Sequence, residues 1–267
     1  MIVWVTGASS GLGLHTARAI AAAGHTVIAG ARSFEEGQKD GMWTIPLDVT
    51  SQTSIETFAR KALEKADRVD CVVHCAGILV LGSCEETRME EYARVMDTDF
   101  YGMVRINQLV LPLMRANHQG KIVMFSSING LLGVPFQSAY AAAKHAVEGY
   151  AECLDMEVRS EGIQVCLVEP GDHRSGSDAY RAHTSGMGDD SPYRKHFEKG
   201  TGKIHHDEQN GSDPDRLGRK AARAIARKRL PFRLRIASLD QHFAVWLHDV
   251  LPSHLNNRVL ESYYFGG

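Results

Sequence analysis

The chain has 267 residues, 43% hydrophobic and 23% charged, with a formal net charge of -2. That balance suits one soluble globular domain over 1–267 with a sizeable core, and it excludes a global field that recruits nucleic acid or an acidic membrane. The five cysteines, Cys71, Cys75, Cys84, Cys153 and Cys166, form no Cys-x-x-Cys pair and no zinc-spaced cluster, so they read as reduced thiols of a cytoplasmic protein without a metal.

No charged leader precedes the opening strand, IVWVT at 2–6, and no targeting segment is expected. An amphipathic helix over 12–23 leads to a second strand, TVIAG at 26–30. WTIPLD (43–48) precedes the helical SQTSIETFARKALEKA (51–66), and DCVVHCAG (70–77) follows. One long helix is predicted over 89–114, then the strand KIVMFSS (121–127), an alanine-rich helix around Tyr140, and the strand IQVCLVEPG (163–171). A helix near 214–229, a strand at 232–237 and an aromatic-rich C-terminal extension (238–267) close the chain. Strands nearly continuous in Val, Ile, Ala and Cys are buried on both faces. The alternation therefore predicts an α/β fold, a doubly wound Rossmann-type parallel sheet flanked by helices. No apolar run reaches ~18 residues, so no membrane span is expected. The polar, glycine-rich and poorly periodic segment 172–214, inserted after the sixth strand, is expected to form a substrate lid.

TGASSGLG (6–13) stands between the first strand and the first helix. Gly7 permits the tight turn, Gly11 lets backbone approach a ligand, and Gly13 lets the helix pack near the sheet. The unpaired N–H groups of that helix start suit a pyrophosphate. The second strand ends in AGARS, with Arg32 where an NAD-selective site would carry an acid. A guanidinium there, with Ser9 or Ser10 as hydroxyl partners, suits a ribose 2′-phosphate. NADP(H) is the preferred cofactor on this reading, with NAD(H) possible.

In SAYAAAKHAVEGYAE, Tyr140 and Lys144 stand four residues apart, on one face of a helix whose alanines permit close approach. With TGASSGLG, LDVT, HCAG, FSSINGLLGVPFQSAY and EPGDHRS, spanning residues 2 to about 175, the chain resembles the short-chain dehydrogenase/reductase family in its compact single-domain form. The resemblance implies a catalytic set of Ser127, Tyr140 and Lys144, with Asp99 at the family's fourth, normally Asn, position. It implies a dinucleotide site of Gly7, Ser9, Ser10, Gly11, Leu12, Gly13, Arg32, Asp48, Val49, Cys75, Ala76, Gly77, Tyr140, Lys144, Pro170, Gly171, His173 and Ser175. A free phenol has a pKa of ~10; a neighbouring ammonium favours the phenolate and fits Tyr140 to shuttle a proton. His74, where the family usually has Asn, reads as a packed histidine. An ionised Asp99 raises the pKa of Lys144.

The motifs look most like the hydroxysteroid and retinol dehydrogenase branch, which implies interconversion of a secondary alcohol and a ketone on a small apolar substrate, a hydroxysteroid first. Retinoid, sugar or acyl substrates are alternatives, as is a non-catalytic dinucleotide-binding sensor. Expected substrate contacts are Leu132, Val134, Phe136, Tyr180 and Met187, with Leu131, Pro135, Tyr193, Phe243, Trp246 and Leu247 as further candidates. A homodimer or homotetramer through the helices at 89–114 and 138–159 is implied by the resemblance. The basic run at 216–235 reads as a solvated helix face with Leu217, Ala221, Ala224 and Ile225 inward, not a nucleic-acid surface.

Overall fold

Apolar side chains at both parities of the central strands decide the architecture. The computed structural model describes residues 1–176 and 181–266. In β1 (Ile2–Thr6), Trp4 joins one core while Val3 and Val5 join another. Strand β2 (Thr26–Ala31) does the same with Ile28 against Val27 and Ala29. Such strands must be covered twice. Helix α1 (Gly11–Ala22), between β1 and β2, covers the second core through Ala17 and Ile20. After β2 come β3 (Gly37–Lys39), β4 (Met42–Pro46), α2 (Gln52–Lys65), β5 (Cys71–His74) and the short β6 (Val80–Leu81). The chain continues through α3 (Met89–Met96), α4 (Gly102–Ala116), β7 (Gly120–Phe125), α5 (Ser138–Val158) and β8 (Ile163–Pro170). It closes with β9 (Ala182–His183), α6 (Arg194–Gln209), α7 (Pro214–Ala226), β10 (Arg233–Ile236), α8 (Leu239–Val250) and α9 (Ser253–Phe265). Helices α2, α4 and α5 contribute Phe58, Val110 and Val147 to the core around Trp4, and α7 adds Leu217 and Ile225 to the opposite one.

The eight-stranded sheet runs β10-β8-β7-β5-β1-β2-β4-β3 and is parallel except for β3, which folds back antiparallel on β4. The order reverses direction between β1 and β5, so the loops leaving these two strands diverge and open a crevice at the carboxyl edge. Gly7 lies at that crevice with φ +64, and a Cβ on it would stand 2.6 Å from Ala76 backbone atoms. A side chain is excluded there by both conformation and space.

Two expectations need correction. The long helix predicted over 89–114 is interrupted by a π-helical turn, Asp97–Tyr101, which places Asp99 inward. Segment 172–214 is not without period: it holds β9, which pairs with β6, and α6, which buries Phe197, Gly200 and Ile204 on one face. The aromatic-rich C-terminal extension forms two helices, α8 and α9.

The end of the sheet is tied by charge. Glu169, wholly buried in β8, accepts Arg233 at 2.7 Å and Arg235 at 2.7 Å, and Arg233 also pairs with Glu148 and, at 2.6 Å, with Glu152 of α5. Removing one partner of such a cluster leaves buried charge uncompensated. Arg233→Ala is expected to cost about 2–4 kcal/mol, discounted because the arginine is partly exposed, measured as a lowered urea midpoint at pH 7. A change within about 0.5 kcal/mol would refute this account of the edge.

Candidate active site

Lys144 is the centre of the site. On α5 it is 5% exposed, and its Nζ donates to the carbonyl of Phe125 at 3.0 Å, the last residue of β7. The same Nζ lies 3.3 Å from Asp99 Oδ2 and 5.3 Å from the centroid of the Tyr140 ring. Asp99 is held from the other side, its Oδ1 accepting the N–H of Ile78 at 2.8 Å, and a Cβ on Gly77 would stand 2.9 Å from its Oδ2. Gly77 thus makes room for the carboxylate, and the π-helical turn points it inward. Such turns widen a helix by one residue and recur at functional sites.

The electrostatics follow from burial in this small volume. Burial opposes the Lys144 ammonium, but the Asp99 carboxylate beside it more than compensates and raises the lysine pKa. Asp99 itself is raised, by burial first, against the pull of Lys144. Burial also raises the Tyr140 phenol; Lys144 and a hydrogen bond with Ser127 pull it down, and Asp99 pushes it further up. Ser127 follows β7, and its Oγ accepts the Asn129 N–H at 3.1 Å, capping a 3-10 turn, Ile128–Gly130. Its neighbour is fixed in turn, with Asn129 Nδ2 donating to Gln137 at 2.6 Å.

Ser127, Tyr140 and Lys144 open on a cleft of about 1250 Å³ that runs along the carboxyl edge of the sheet. Every residue of the expected dinucleotide site lines this cleft, from Gly7 through Arg32, Asp48 and Ala76 to His173 and Ser175. A Cβ on Gly13 would stand 2.3 Å from the Gly7 carbonyl oxygen, so the helix start presses on the turn. Ser10, the N-cap of α1, makes no side-chain capping bond, and no acidic residue stands in the first helical turn. The helix start therefore keeps donors and a positive end for an anion. Arg32 is exposed at the end of β2 and among the described residues makes no ion pair. Glu36 nearby is occupied by Lys61 at 2.7 Å and Lys65 at 3.1 Å. These groups fit a dinucleotide. His74 is a packed histidine: 3% exposed, 2.8 Å from Asn107 Oδ1, and pushed by burial down to about 4. Asp99 stands behind Lys144 and off the cleft wall.

The expected substrate contacts divide. Leu132 and Val134 line the cleft, with Phe243 and Leu247. Phe136 does not: with φ 64 its side chain turns away into a cluster with Phe197 and Phe265. Met187 packs against that cluster, Tyr193 bonds Glu85 at 2.5 Å, and Trp246 faces outward, 54% exposed. Tyr180 lies outside the described residues. Sequence reasoning missed Ile204 of α6 and Val259, Leu260 and Tyr264 of α9, which line the cleft; the four-residue spacing of Leu260 and Tyr264 is the signal that could have found part of them. It also missed the chemistry of Asp172, which burial first, and then Glu208, Asp207 and Asp240, pushes up to about 7. Gln241 Nε2 donates to its Oδ2 at 2.5 Å.

Comparison with known proteins agrees with this geometry. The short chain dehydrogenase family profile matches residues 1–185. A 3-ketodihydrosphingosine reductase of Bacteroides thetaiotaomicron is 35% identical over 263 residues, covering 98% of this chain and 97% of that one. Dehydrogenase/reductase SDR family member 7B of Danio rerio is 30% identical, covering 98% and 84%. Among solved structures, a short-chain dehydrogenase from Streptomyces avermitilis is 31% identical with a TM-score of 0.77, covering 98% of this chain and 94% of that one. An alcohol dehydrogenase from Thermococcus sibiricus, complexed with 5-hydroxy-NADP, shares the fold at 23% identity and a TM-score of 0.71, covering 89% and 96%. With that family's profile over more than half its length and its relatives end to end, the chain belongs to the short-chain dehydrogenase/reductase family, as an NAD(P)-dependent oxidoreductase.

Proposed function

We propose that the protein uses NADPH to reduce the ketone of a long-chain apolar substrate to a secondary alcohol, with a long-chain amino ketone as the substrate class. The carrying observation is that Ser127 and Tyr140 open on the cleft below an apolar wall of Leu132, Val134, Ile204, Leu247, Val259 and Leu260. The bound nicotinamide supplies the hydride. In this reading Ser127 donates a hydrogen bond to the ketone oxygen and holds it beside the phenol. Tyr140 gives its proton to that oxygen, and Lys144 stabilises the phenolate left behind. Asp99 keeps Lys144 charged and makes phenolate harder to form. A phenol raised this way keeps its proton at neutral pH, which favours the reductive direction. Arg32, unpaired at the end of β2, supports NADPH over NADH.

The near full-length likeness to a 3-ketodihydrosphingosine reductase supports a long-chain ketone. The hydroxysteroid expected from the motifs would use the same machinery and apolar wall. What favours an amine-bearing substrate is Asp172, a carboxyl group facing the cleft, for which a neutral steroid offers no counter-charge. Pairing of copies through α4 and α5, and a cytoplasmic location, are further expectations of this reading. No helix among the described residues is long and apolar enough to cross a membrane.

The test follows absorbance of the reduced cofactor with 3-ketodihydrosphingosine, a ketosteroid panel and a short ketone, NADPH and NADH in parallel. Turnover with the long-chain ketone is expected to fall about 10²-fold or more in Tyr140→Phe. Arg32→Ala should raise KM for NADPH roughly tenfold with little effect on NADH. Turnover of steroids alone would overturn the substrate class, and cofactor binding without any turnover would favour a sensor. The pH dependence separates the substrates further. Asp172, raised to about 7, is anionic above that pH and neutral below it, so KM for the amino ketone should climb as pH falls through 7. KM for a neutral ketone should stay flat. Asp99→Asn removes the negative charge behind Lys144, so phenolate forms more readily and the acid limb of alcohol oxidation should move to lower pH. A limb that stays put or moves up would contradict the proposed role of Asp99.

A further inference from the structure

Seven of the ten large apolar side chains exposed among the described residues lie between 239 and 263. On α8 they are Leu239, Phe243, Trp246 and Val250, spaced by four, three and four residues, each more than half exposed. On α9 they are Leu255, Val259 and Tyr263, at intervals of four, 40 to 48% exposed. Those spacings draw one apolar stripe along each helix. Core contacts do not explain them, since Val245 of α8 and Asn256 of α9 face inward instead. A patch of this kind marks an interaction site.

We infer that these stripes dock the protein on a lipid surface, with the mouth of the cleft against the bilayer. Two observations favour lipid over a second copy of the chain. Phe243, Val259 and Tyr263 belong to the stripes and also line the cleft, so a rigid partner seated there would close the substrate's way in, whereas a bilayer would supply the substrate through it. The stripes carry aromatic side chains suited to an interface, with Phe243 and Trp246 stacked at 5.6 Å. The charges beside the stripes are mixed, with exposed Arg258 on α9 and Lys199 of α6 against exposed Asp240, Asp249 and Glu261, while Lys203 is paired with Asp207 at 2.7 Å, so the apolar side chains supply the attraction. The lipid identity of the partner rests on the apolar-substrate reading above.

The test is flotation of the full chain with vesicles of phosphatidylcholine containing phosphatidylglycerol, against pure phosphatidylcholine, with light scattering for oligomeric state. Expected are co-flotation with both vesicle compositions that survives added salt, and a blue shift of tryptophan emission on binding. Trp246→Leu should keep flotation and lose the shift, because Trp4 is buried in the core and Trp43 sits on β4 under Lys65, away from α8 and α9. Trp246→Ser/Val250→Ser should weaken flotation about tenfold while turnover of a short soluble ketone stays unchanged, which also reports folding. Absence of flotation by the wild type, or flotation indifferent to the double variant, overturns the inference. So does a double variant of lower oligomeric mass that binds vesicles no worse than wild type, since the stripes are then a subunit interface. Flotation without turnover of any long-chain ketone leaves the docking surface standing and removes the substrate reading instead.

Discussion

A buried ammonium is expensive, and the arrangement around Lys144 is what makes one tolerable. Its Nζ is held by a main-chain carbonyl at the end of β7 and a carboxylate on the π-helical turn. Both partners come from elements that the sheet has already placed, so the lysine ties α5 to β7 and the turn in one contact. Tyr140, one helical turn earlier, is carried to the cleft by the same helix. Ser127 comes from the residues that follow the same strand. The serine, tyrosine and lysine therefore do not require separate positioning. They share two elements, and the Lys144 hydrogen bond to the Phe125 carbonyl ties those elements together.

That dependence explains why so much of the site was legible in the sequence. Tyr140 and Lys144 fall on one helix, Ser127 at a strand end, and Gly7 at a turn that admits no side chain; each rests on a local rule that a linear reading can apply. Strands whose apolar residues occupy both parities announce a sheet covered on both faces. What escaped were features with no local signature. β3 is Gly-Gln-Lys, with no apolar residue to mark it, and exists because β4 offers an edge. Helix α6 buries Phe197, Gly200 and Ile204; the glycine in the middle position hides the apolar period while allowing Phe265 and Phe136 to approach. Phe136 looked like a cleft residue because its neighbours are, but its positive φ turns the ring elsewhere. The π-helical turn inserts its residue without any break in helical composition.

The substrate end of the cleft obeys a different logic. The dinucleotide half is built by loops leaving the sheet, whose positions follow from strand order. The other half is built by α6, α8 and α9, which touch the cleft with a few side chains each. These helices are held mainly by one another and by small clusters, Leu132–Val134–Ile204–Val245 and Leu81–Phe136–Phe197. Small satellite clusters open more easily than a two-sided core. On the proposed reading, substrate enters through the less firmly packed part of the fold, while Ser127, Tyr140 and Lys144 stand on its most rigid part.

The charge pattern of the cleft is consistent with that division. A single carboxylate stands behind Lys144, isolated from water, and raises the pKa of both the ammonium and the phenol. At the substrate end several carboxylates share one region, and Asp172 carries the consequence: burial and its acidic neighbours make its charge costly, with Arg181 the opposing cation. A cationic ligand group placed there would lower that cost, and a neutral one would leave it in place. On the proposed reading, a chain with an amine would offset the cost that burial and acidic neighbours place on the Asp172 charge, so the apolar wall would select for length and shape and the carboxyl beside it for charge.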